Sequence, residues 1–397
     1  MKTPRTEVVV VGGGIGGVAM ALALGRQGRQ VQLLEQSQEI APIGYGVQIG
    51  PNVMPMLDRL GVGTACRQAA YLPPEILLYE ASSGQQLAHV PLRNAAFNAL
   101  FQHPYIAIHR VDLHEILLTA CRKHANIEMV EACTATGFSQ TPEGVQVQAA
   151  DGRSLTADAL IAADGLRSRI RAQLYPDDVP RDTGYAAYRS IIPMASAPEC
   201  LRKRPGVTMW TGDGFHVIYY PLRDGTELNM VGVFRVEPPF GTATDAVTQL
   251  RHATAGCQPE VHAVLDHMNL GRRWPIADRE PLRCWGEGRV TLLGDAAHAT
   301  LQSLAQGAGM ALEDVIMLMR LLEKAGGHYA SAFRRFQRLR LTRTARVQLT
   351  SRSLWEEFHC GGIAATVRDA QWSERTTDDY LRCLTWLWTP LQPEVTD

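Results

Sequence analysis

After seven mixed residues the chain runs into an unbroken β-branched stretch, Val8-Val9-Val10-Val11. A short continuous run of this kind predicts a strand buried on both faces of a parallel sheet. Glycines follow at once, then Val18-Ala19-Met20-Ala21-Leu22-Ala23-Leu24 as a helix and Val31-Gln32-Leu33-Leu34-Glu35 as a second strand. That order is a βαβ unit, which implies a right-handed crossover. Ala159-Leu160-Ile161-Ala162 and Val290-Thr291-Leu292-Leu293 repeat the pattern of a short apolar strand opening into a glycine-containing turn. Between them the texture changes. Val207 to Trp210, Phe215 to Leu222 and Thr226 to Val236 read as antiparallel strands, the last two joined at Asp224-Gly225. A long helix is expected from about Met310 to Leu322, and the stretch from about Arg335, rich in Arg, Trp and Leu, reads as helical. An α/β part opens the chain, an antiparallel sheet interrupts it, and the α/β part resumes. The expected division is 1–75, 98–180 and 270–345 for the first domain, 76–97 and 181–269 for the inserted sheet, and 346–397 for a helical C-terminal region.

A length of 397 residues exceeds one ordinary core and suits two joined domains. A formal net charge of −1 supplies no overall basic field for nucleic acid or a membrane surface, so any attraction for an anion has to be local. The apolar runs at the start and at Val18–Leu24 are too short for a signal-peptide core or a membrane span. The eight cysteines, at 66, 121, 133, 200, 257, 284, 360 and 383, show no paired spacing. A reduced, cytoplasmic protein without disulfides or a metal centre is expected.

Three separated segments carry candidate chemistry. Gly12, Gly14 and Gly17 fill Gly-x-Gly-x-x-Gly, with Ile15 and Gly16 inside it. Such glycines make a tight turn, admit a pyrophosphate close to the backbone and pack the helix on the sheet, while the helix N-terminus favours negative charge. Glu35 stands 23 residues after Gly12, near the spacing expected for a carboxylate on ribose hydroxyls, with Gln36 beside it. Alone, the glycines would also suit a plain turn. The second segment is Ala163-Asp164-Gly165-Leu166-Arg167-Ser168-Arg169-Ile170-Arg171, which reads equally as a turn with Ser168 as a helix cap. The third is Gly294-Asp295-Ala296-Ala297-His298, followed by Gln306-Gly307-Ala308-Gly309. A carboxylate at a strand end can bond a sugar or ribityl hydroxyl, and glycines before a helix leave N–H groups free for an anionic ring.

In this order and at these distances the three motifs resemble those of the class A flavoprotein monooxygenases, the aromatic hydroxylases, over nearly the whole chain. The resemblance implies an α/β fold with a discontinuous Rossmann-like FAD-binding domain of the para-hydroxybenzoate hydroxylase type, an inserted antiparallel substrate domain and a helical C-terminal region. It implies that the glycine loop and Glu35 hold the ADP half of FAD, and that Asp295 holds the ribityl chain. It assigns Asp164, with Ser168 and Arg171, to FAD and NAD(P)H contacts, brings Arg110 to FAD, and puts Gln48 in the loop passing the isoalloxazine. No second Gly-x-Gly-x-x-Gly with a following acid is present. NADH or NADPH is therefore expected as a transient electron donor in a shared cleft, with O2 as co-substrate; a homodimer is common in such families.

Reduced flavin with O2 gives an electrophilic C4a-hydroperoxide, so the protein has to position a phenol, assist its deprotonation and exclude water. Alternation puts His216, Ile218 and Tyr220 on one face of their strand. A core or surface histidine on an amphipathic strand fits that pattern as well. Gly184-Tyr185-Ala186-Ala187-Tyr188-Arg189, the His216 strand, Ala277-Asp278-Arg279-Glu280-Pro281 and the tail Thr376-Thr377-Asp378-Asp379 with Leu384-Thr385-Trp386-Leu387-Trp388 most resemble 3-hydroxybenzoate 6-hydroxylases. That likeness implies that His216 and Gln302 act on the substrate hydroxyl, that Tyr220 contacts the substrate, and that 3-hydroxybenzoate becomes 2,5-dihydroxybenzoate. Salicylate and 6-hydroxynicotinate hydroxylases are the alternatives within the class, and a flavin dehydrogenase or oxidase the alternative outside it. Two positions depart from the family pattern: Ala299 replaces a usual proline after His298, and Tyr45 replaces a small residue between Gly44 and Gly46.

Overall fold

The computed structural model describes residues 6–40, 44–236 and 243–391, excepting the side chains of 243–246; the last residues of the expected C-terminal region, 392–397, lie outside them. Val8–Val11 pairs in parallel with Ala159–Ala162 on one side and with Val31–Leu34 on the other. Val290–Leu292 joins beyond Ala159–Ala162 and Ile127–Val130 beyond Val31–Leu34, with Gly286–Glu287 as an antiparallel edge. The inner strands are buried on both faces, which is why their sequences are continuously apolar rather than alternating. The carboxyl ends of four neighbouring strands carry Gly294-Asp295, Asp164-Gly165, Gly12 and Glu35 side by side. Segments more than a hundred residues apart thus meet at one edge, where ligands of open α/β sheets bind.

The second sheet has seven strands in the order Trp274–Asp278, Arg181–Pro193, Glu227–Arg235, Phe215–Leu222, Val207–Gly212, Glu75–Glu80, Gln86–Pro91. All its pairs are antiparallel except Val207–Gly212 with Glu75–Glu80. Its edge strand Trp274–Asp278 lies past the boundary at 269 expected for the inserted sheet. The expected division at 345/346 falls inside one helix, Tyr329–His359. That helix keeps a buried stripe at Arg340, Thr344, Val347, Ser351, Trp355 and Phe358, so its i, i+3/i+4 period runs unbroken across both parts. A three-stranded antiparallel sheet, Ala135–Gln140, Val145–Ala149 and Ser154–Ala157, was absent from the sequence expectation. Its signal is the strict alternation Val145-Gln146-Val147-Gln148-Ala149, buried at every second residue.

The expected long helix spans Gly307–Lys324. Among the described residues no helix is long and apolar enough to cross a membrane. All eight cysteines are free thiols.

Candidate active site

The glycine loop is shaped by close backbone approach. Gly12 has φ +104°, and a Cβ there would lie 2.4 Å from the Ala163 carbonyl oxygen; one on Gly17 would lie 1.8 Å from the Gly12 oxygen. Only glycine lets the turn fold back and the helix Ile15–Arg26 seat on it. Gly14 caps that helix without a side-chain partner and faces open space, leaving N–H groups available to a phosphate. Glu35 receives the Gly13 N–H at 2.7 Å and the Ser37 N–H at 2.9 Å, so its carboxylate is held at the rim of the loop. The buried His114 bonds the Gly13 carbonyl through Nε2 at 2.6 Å. Asp295 is exposed at the start of a short helix, and Gly307 faces open space at the start of an 18-residue one. An open strip bounded by unpaired helix N-termini and two carboxylates fits a dinucleotide carrying a flavin.

Below this strip lies a buried charged layer. Asp314 receives the Gly294 N–H at 3.1 Å, meets His298 Nε2 at 2.6 Å and accepts from Arg340 Nε at 2.7 Å. Arg340 also reaches Glu313 at 2.8 Å, and Arg343 grips Glu313 with two donors at 2.6 and 2.8 Å. Asn52 donates to Glu313 at 2.8 Å and to the Gln306 side chain at 3.1 Å. Burial opposes the charged forms of Glu313 and Asp314, but Arg340 with Arg343 for the first, and His298 with Arg340 for the second, outweigh it and hold both carboxyls below their usual range. Arg343 finally donates to the Trp386 and Leu387 carbonyls, tying the end of the C-terminal helix Thr377–Trp388 to the flavin strip.

Beside the strip opens a cavity of about 590 Å³, lined on the flavin side by Gln48, Asp295, Gly307 and Ala308, and on the other by Arg189, His216, Ile218, Tyr220 and Gln302. His216, Ile218 and Tyr220 all reach it, as the strand alternation predicts. Gly46 backs directly onto Tyr220: a Cβ there would lie 2.7 Å from the Tyr220 hydroxyl, and the Gly46 N–H is bonded to Asn229 Oδ1 at 2.8 Å. Burial pushes the Tyr220 phenol up to about 12, so its hydroxyl keeps its proton at neutral pH. Gln48 accepts from the Tyr105 hydroxyl. Arg189 donates to Gln302 Oε1 at 3.0 Å and stands 5.7 Å over the Tyr45 ring.

His216 is 3% exposed, and burial drops its pKa to about 3. Its Nδ1 lies 2.7 Å from Nε2 of His359, the last residue of the long helix. Trp355 and Phe358 meet the His216 ring edge-on at 5.7 and 5.8 Å. Nδ1 being engaged, Nε2 is the nitrogen left to the cavity.

Other expected residues fall differently. Gln36 is exposed in a bend, and Arg110 is exposed at the start of helix Arg110–Cys121, its N–H bonded to the Tyr45 carbonyl. Asp164 accepts the Arg169 N–H at 2.9 Å and Ser168 caps the helix Arg169–Leu174, the turn-and-cap arrangement that the sequence also allowed. Arg171 is fully buried; it pairs with Asp178 at 2.6 Å and donates to the Ala296 and Ala297 carbonyls at 3.0 and 2.8 Å. Its guanidinium therefore braces the Asp295 helix from behind instead of facing a ligand. Gln306 and Gly309 are buried at the head of the long flavin-side helix, and Gly16 packs near Leu293 and Ala311. Ala299 keeps φ −50°, near the angle a proline would fix, while its carbonyl is held by Gln348 at 3.1 Å. Sequence reasoning missed Arg189, His359, Asn52 and His114. No short-range pattern marks them, since each acquires its role from a partner at least 101 residues away. Among the described residues no group of three His, Cys, Asp or Glu is placed to hold a metal ion.

A family model described as an FAD binding domain matches residues 5–332. The chain is 39% identical over 384 residues to a 3-hydroxybenzoate 6-hydroxylase of Klebsiella oxytoca, covering 96% of both chains. It is 37% identical over 383 residues to one of Polaromonas naphthalenivorans, covering 96% of this chain and 95% of the relative. Among solved structures, Klebsiella pneumoniae HpxO complexed with FAD and uric acid superimposes with a TM-score of 0.86 at 24% identity, covering 97% of each chain, which shows the shared fold. A glycine cradle, a flavin-sized strip and a phenol-sized wall therefore come with a family match over most of the length: this chain belongs to the FAD-dependent aromatic-ring hydroxylases.

Proposed function

We propose that the chain converts 3-hydroxybenzoate to 2,5-dihydroxybenzoate, using NADH or NADPH as electron donor, in the reducing cytoplasm that suits its eight free thiols. The observation that carries this reading is the pairing of an acceptor and a donor on one cavity wall. His216 is kept neutral by burial, so its Nε2 has a lone pair for the phenol proton: the O–H bond breaks as the Nε2–H bond forms, and the adjacent phenolate charge has to offset the burial that disfavours the imidazolium. Gln302 spends its oxygen on Arg189, which fixes the amide orientation and leaves its NH2 to donate to the phenolate oxygen. The resulting 3-phenolate pushes electron density to the para carbon. Arg189 is the cation on that wall nearest Tyr220 and Gln302, and its guanidinium with the Tyr220 hydroxyl matches a substrate carboxylate. FAD, held by Gly12 to Gly17, Glu35, Asp295 and Gly307 to Gly309, would pass two electrons from NAD(P)H to O2, so that one oxygen atom enters the ring and the other leaves as water.

The test follows NAD(P)H oxidation, O2 uptake and product mass with 3-hydroxybenzoate, salicylate and 6-hydroxynicotinate. The relatives support this panel, since one at 32% identity is a 6-hydroxynicotinate 3-monooxygenase of Bordetella bronchiseptica, covering 87% of this chain and 91% of its own. Stoichiometric gentisate (2,5-dihydroxybenzoate) from 3-hydroxybenzoate is expected. Uptake yielding only hydrogen peroxide with that substrate would refute it.

A further inference from the structure

We infer that His359 is a positioning residue that fixes the tautomer of His216, taking the Nδ1 proton of His216 so that Nε2 meets the substrate as an unprotonated base. The inference rests on the base role proposed above and deepens it.

The geometry begins at the end of the long helix. The His359 carbonyl accepts the N–H of Gly214 at 3.0 Å, which locks the helix terminus to the turn that opens the His216 strand. The His359 ring is then held between two others: it stacks on Tyr185 at 4.5 Å and 29°, and it lies edge to edge with His216, 24° from coplanar with ring centroids 4.9 Å apart, as an in-plane N–H···N bond requires. Trp355 closes its edge at 4.5 Å. His359 does not itself line the cavity, whereas His216 does. It stands behind the wall, where it can orient but not touch a substrate.

The short Nδ1···Nε2 contact holds one proton between two imidazoles, because burial keeps both rings neutral. Which ring owns that proton decides the chemistry. If His359 owned it, His216 Nδ1 would be the acceptor and its Nε2 would carry hydrogen, facing the phenol as a donor. The base role proposed above sets the direction: Nε2 of His216 needs its lone pair, so the one hydrogen of that ring sits on Nδ1. Nε2 of His359, 2.7 Å away, is the atom in reach of that hydrogen, while Nδ1 of His359 is buried without a hydrogen-bond partner. A neutral imidazole protonated at Nδ1 has a bare Nε2, so His359 accepts and His216 donates. The cavity-facing nitrogen of His216 is thereby left with its lone pair. When the phenol proton arrives, the His216 imidazolium still has an acceptor at Nδ1 for its other N–H. This is the orienting logic of a base backed by a third group, with an imidazole in place of a carboxylate.

The test uses the FAD-loaded enzyme with 15N-labelled histidine. In the wild type the His216 Nε2 resonance, assigned by its loss in His216→Asn, is expected at an unprotonated, imine-type shift. A protonated, pyrrole-type shift overturns the inference. His359→Phe keeps the stacked aromatic but removes the acceptor, and kcat for hydroxylation is expected to fall about 10- to 100-fold, with KM for 3-hydroxybenzoate changed less than about 3-fold. His359→Gln, whose amide oxygen can take the Nδ1 proton, should recover most of that loss. Equal losses in the Phe and Gln variants, or none in the Phe variant, would reduce His359 to packing. If His216→Asn itself hydroxylates normally, the base role fails; if His216→Asn is inactive and His359→Phe is not, only the present inference fails.

Discussion

Two buried histidines face the two halves of the site, and their partners differ in kind. His298 stands under the flavin strip against a carboxylate, Asp314, inside a layer of charges that also holds Arg340, Glu313 and Arg343. His216 stands in the substrate wall against a second neutral imidazole, surrounded by Trp355 and Phe358. The first arrangement neutralises its charges internally and serves position: it ties the Gly294 turn, the Gln306 cap and the C-terminal helix into one assembly. The second contains no formal charge, so a proton taken up by His216 would change its electrostatics. A buried histidine next to an ion pair is a brace, whereas one in an apolar wall with a free nitrogen is placed to exchange a proton.

The comparison breaks first at Arg340. Replacing it with Met leaves Glu313 and Asp314 short of a shared cation in a site with no water access, and should cost about 3–5 kcal/mol of unfolding free energy with early release of FAD, read by denaturant unfolding and flavin fluorescence. If the loss is below about 1 kcal/mol, the layer is not a brace. His216→Ala should instead keep FAD content near wild type, cost less stability than Arg340→Met, and slow hydroxylation about 10²-fold or more, read by product formation in a single turnover. Turnover unchanged at neutral pH would remove His216 from the chemistry.

A milder effect separates binding from proton transfer. Arg189→Met removes a charge-assisted bond worth about 1.5–3 kcal/mol and frees the Gln302 amide, so KM for an aromatic acid should rise about 10-fold or more. The matching phenol without a carboxylate should be affected far less; equal losses for both would deny Arg189 the carboxylate.

Acid reads the same contrast most gently. Unfolded histidines take up protons near pH 6.5, whereas folded His216 and His359 stay neutral down to about 3 and about 2. Each therefore lowers stability by about 1.4 kcal/mol per pH unit as the pH falls below 6.5. Glu313 and Asp314, held below their usual range, contribute stability that is present at neutral pH and is lost only below about 4.5. Urea midpoints between pH 7 and 5 should thus fall in the wild type and fall less steeply in a His216→Asn/His359→Gln double variant.

The sequence discloses the flavin half more fully than the substrate half, for a physical reason. Gly12 and Gly17 answer a local steric demand, and Val8–Val11 or Ala159–Ala162 answer burial on two faces, so composition alone reveals them. Strand alternation likewise puts His216 and Tyr220 on the cavity. Arg189 and His359 are not local in this sense. Each is an ordinary residue on its own element and gains meaning only when a strand edge or a helix end meets a partner 113 or 143 residues away. Arg171 shows the converse: a residue inside a recognisable motif whose bonds are all internal. Strand pairing past 269 and the helix running through 345 are likewise features that leave no compositional mark.

The 31-residue helix Tyr329–His359 has a mechanical consequence. At 1.5 Å per residue it is a rod about 46 Å long, with Arg340 and His359 about 28 Å apart along it. One grip is on the cofactor layer and the other on the substrate wall, so the rod acts as a splint across the joint between the sheets. Hinging the two halves open would require bending it or tearing one grip free. The spacing between the charged layer and the cavity wall is therefore set by the stiffness of a single helix.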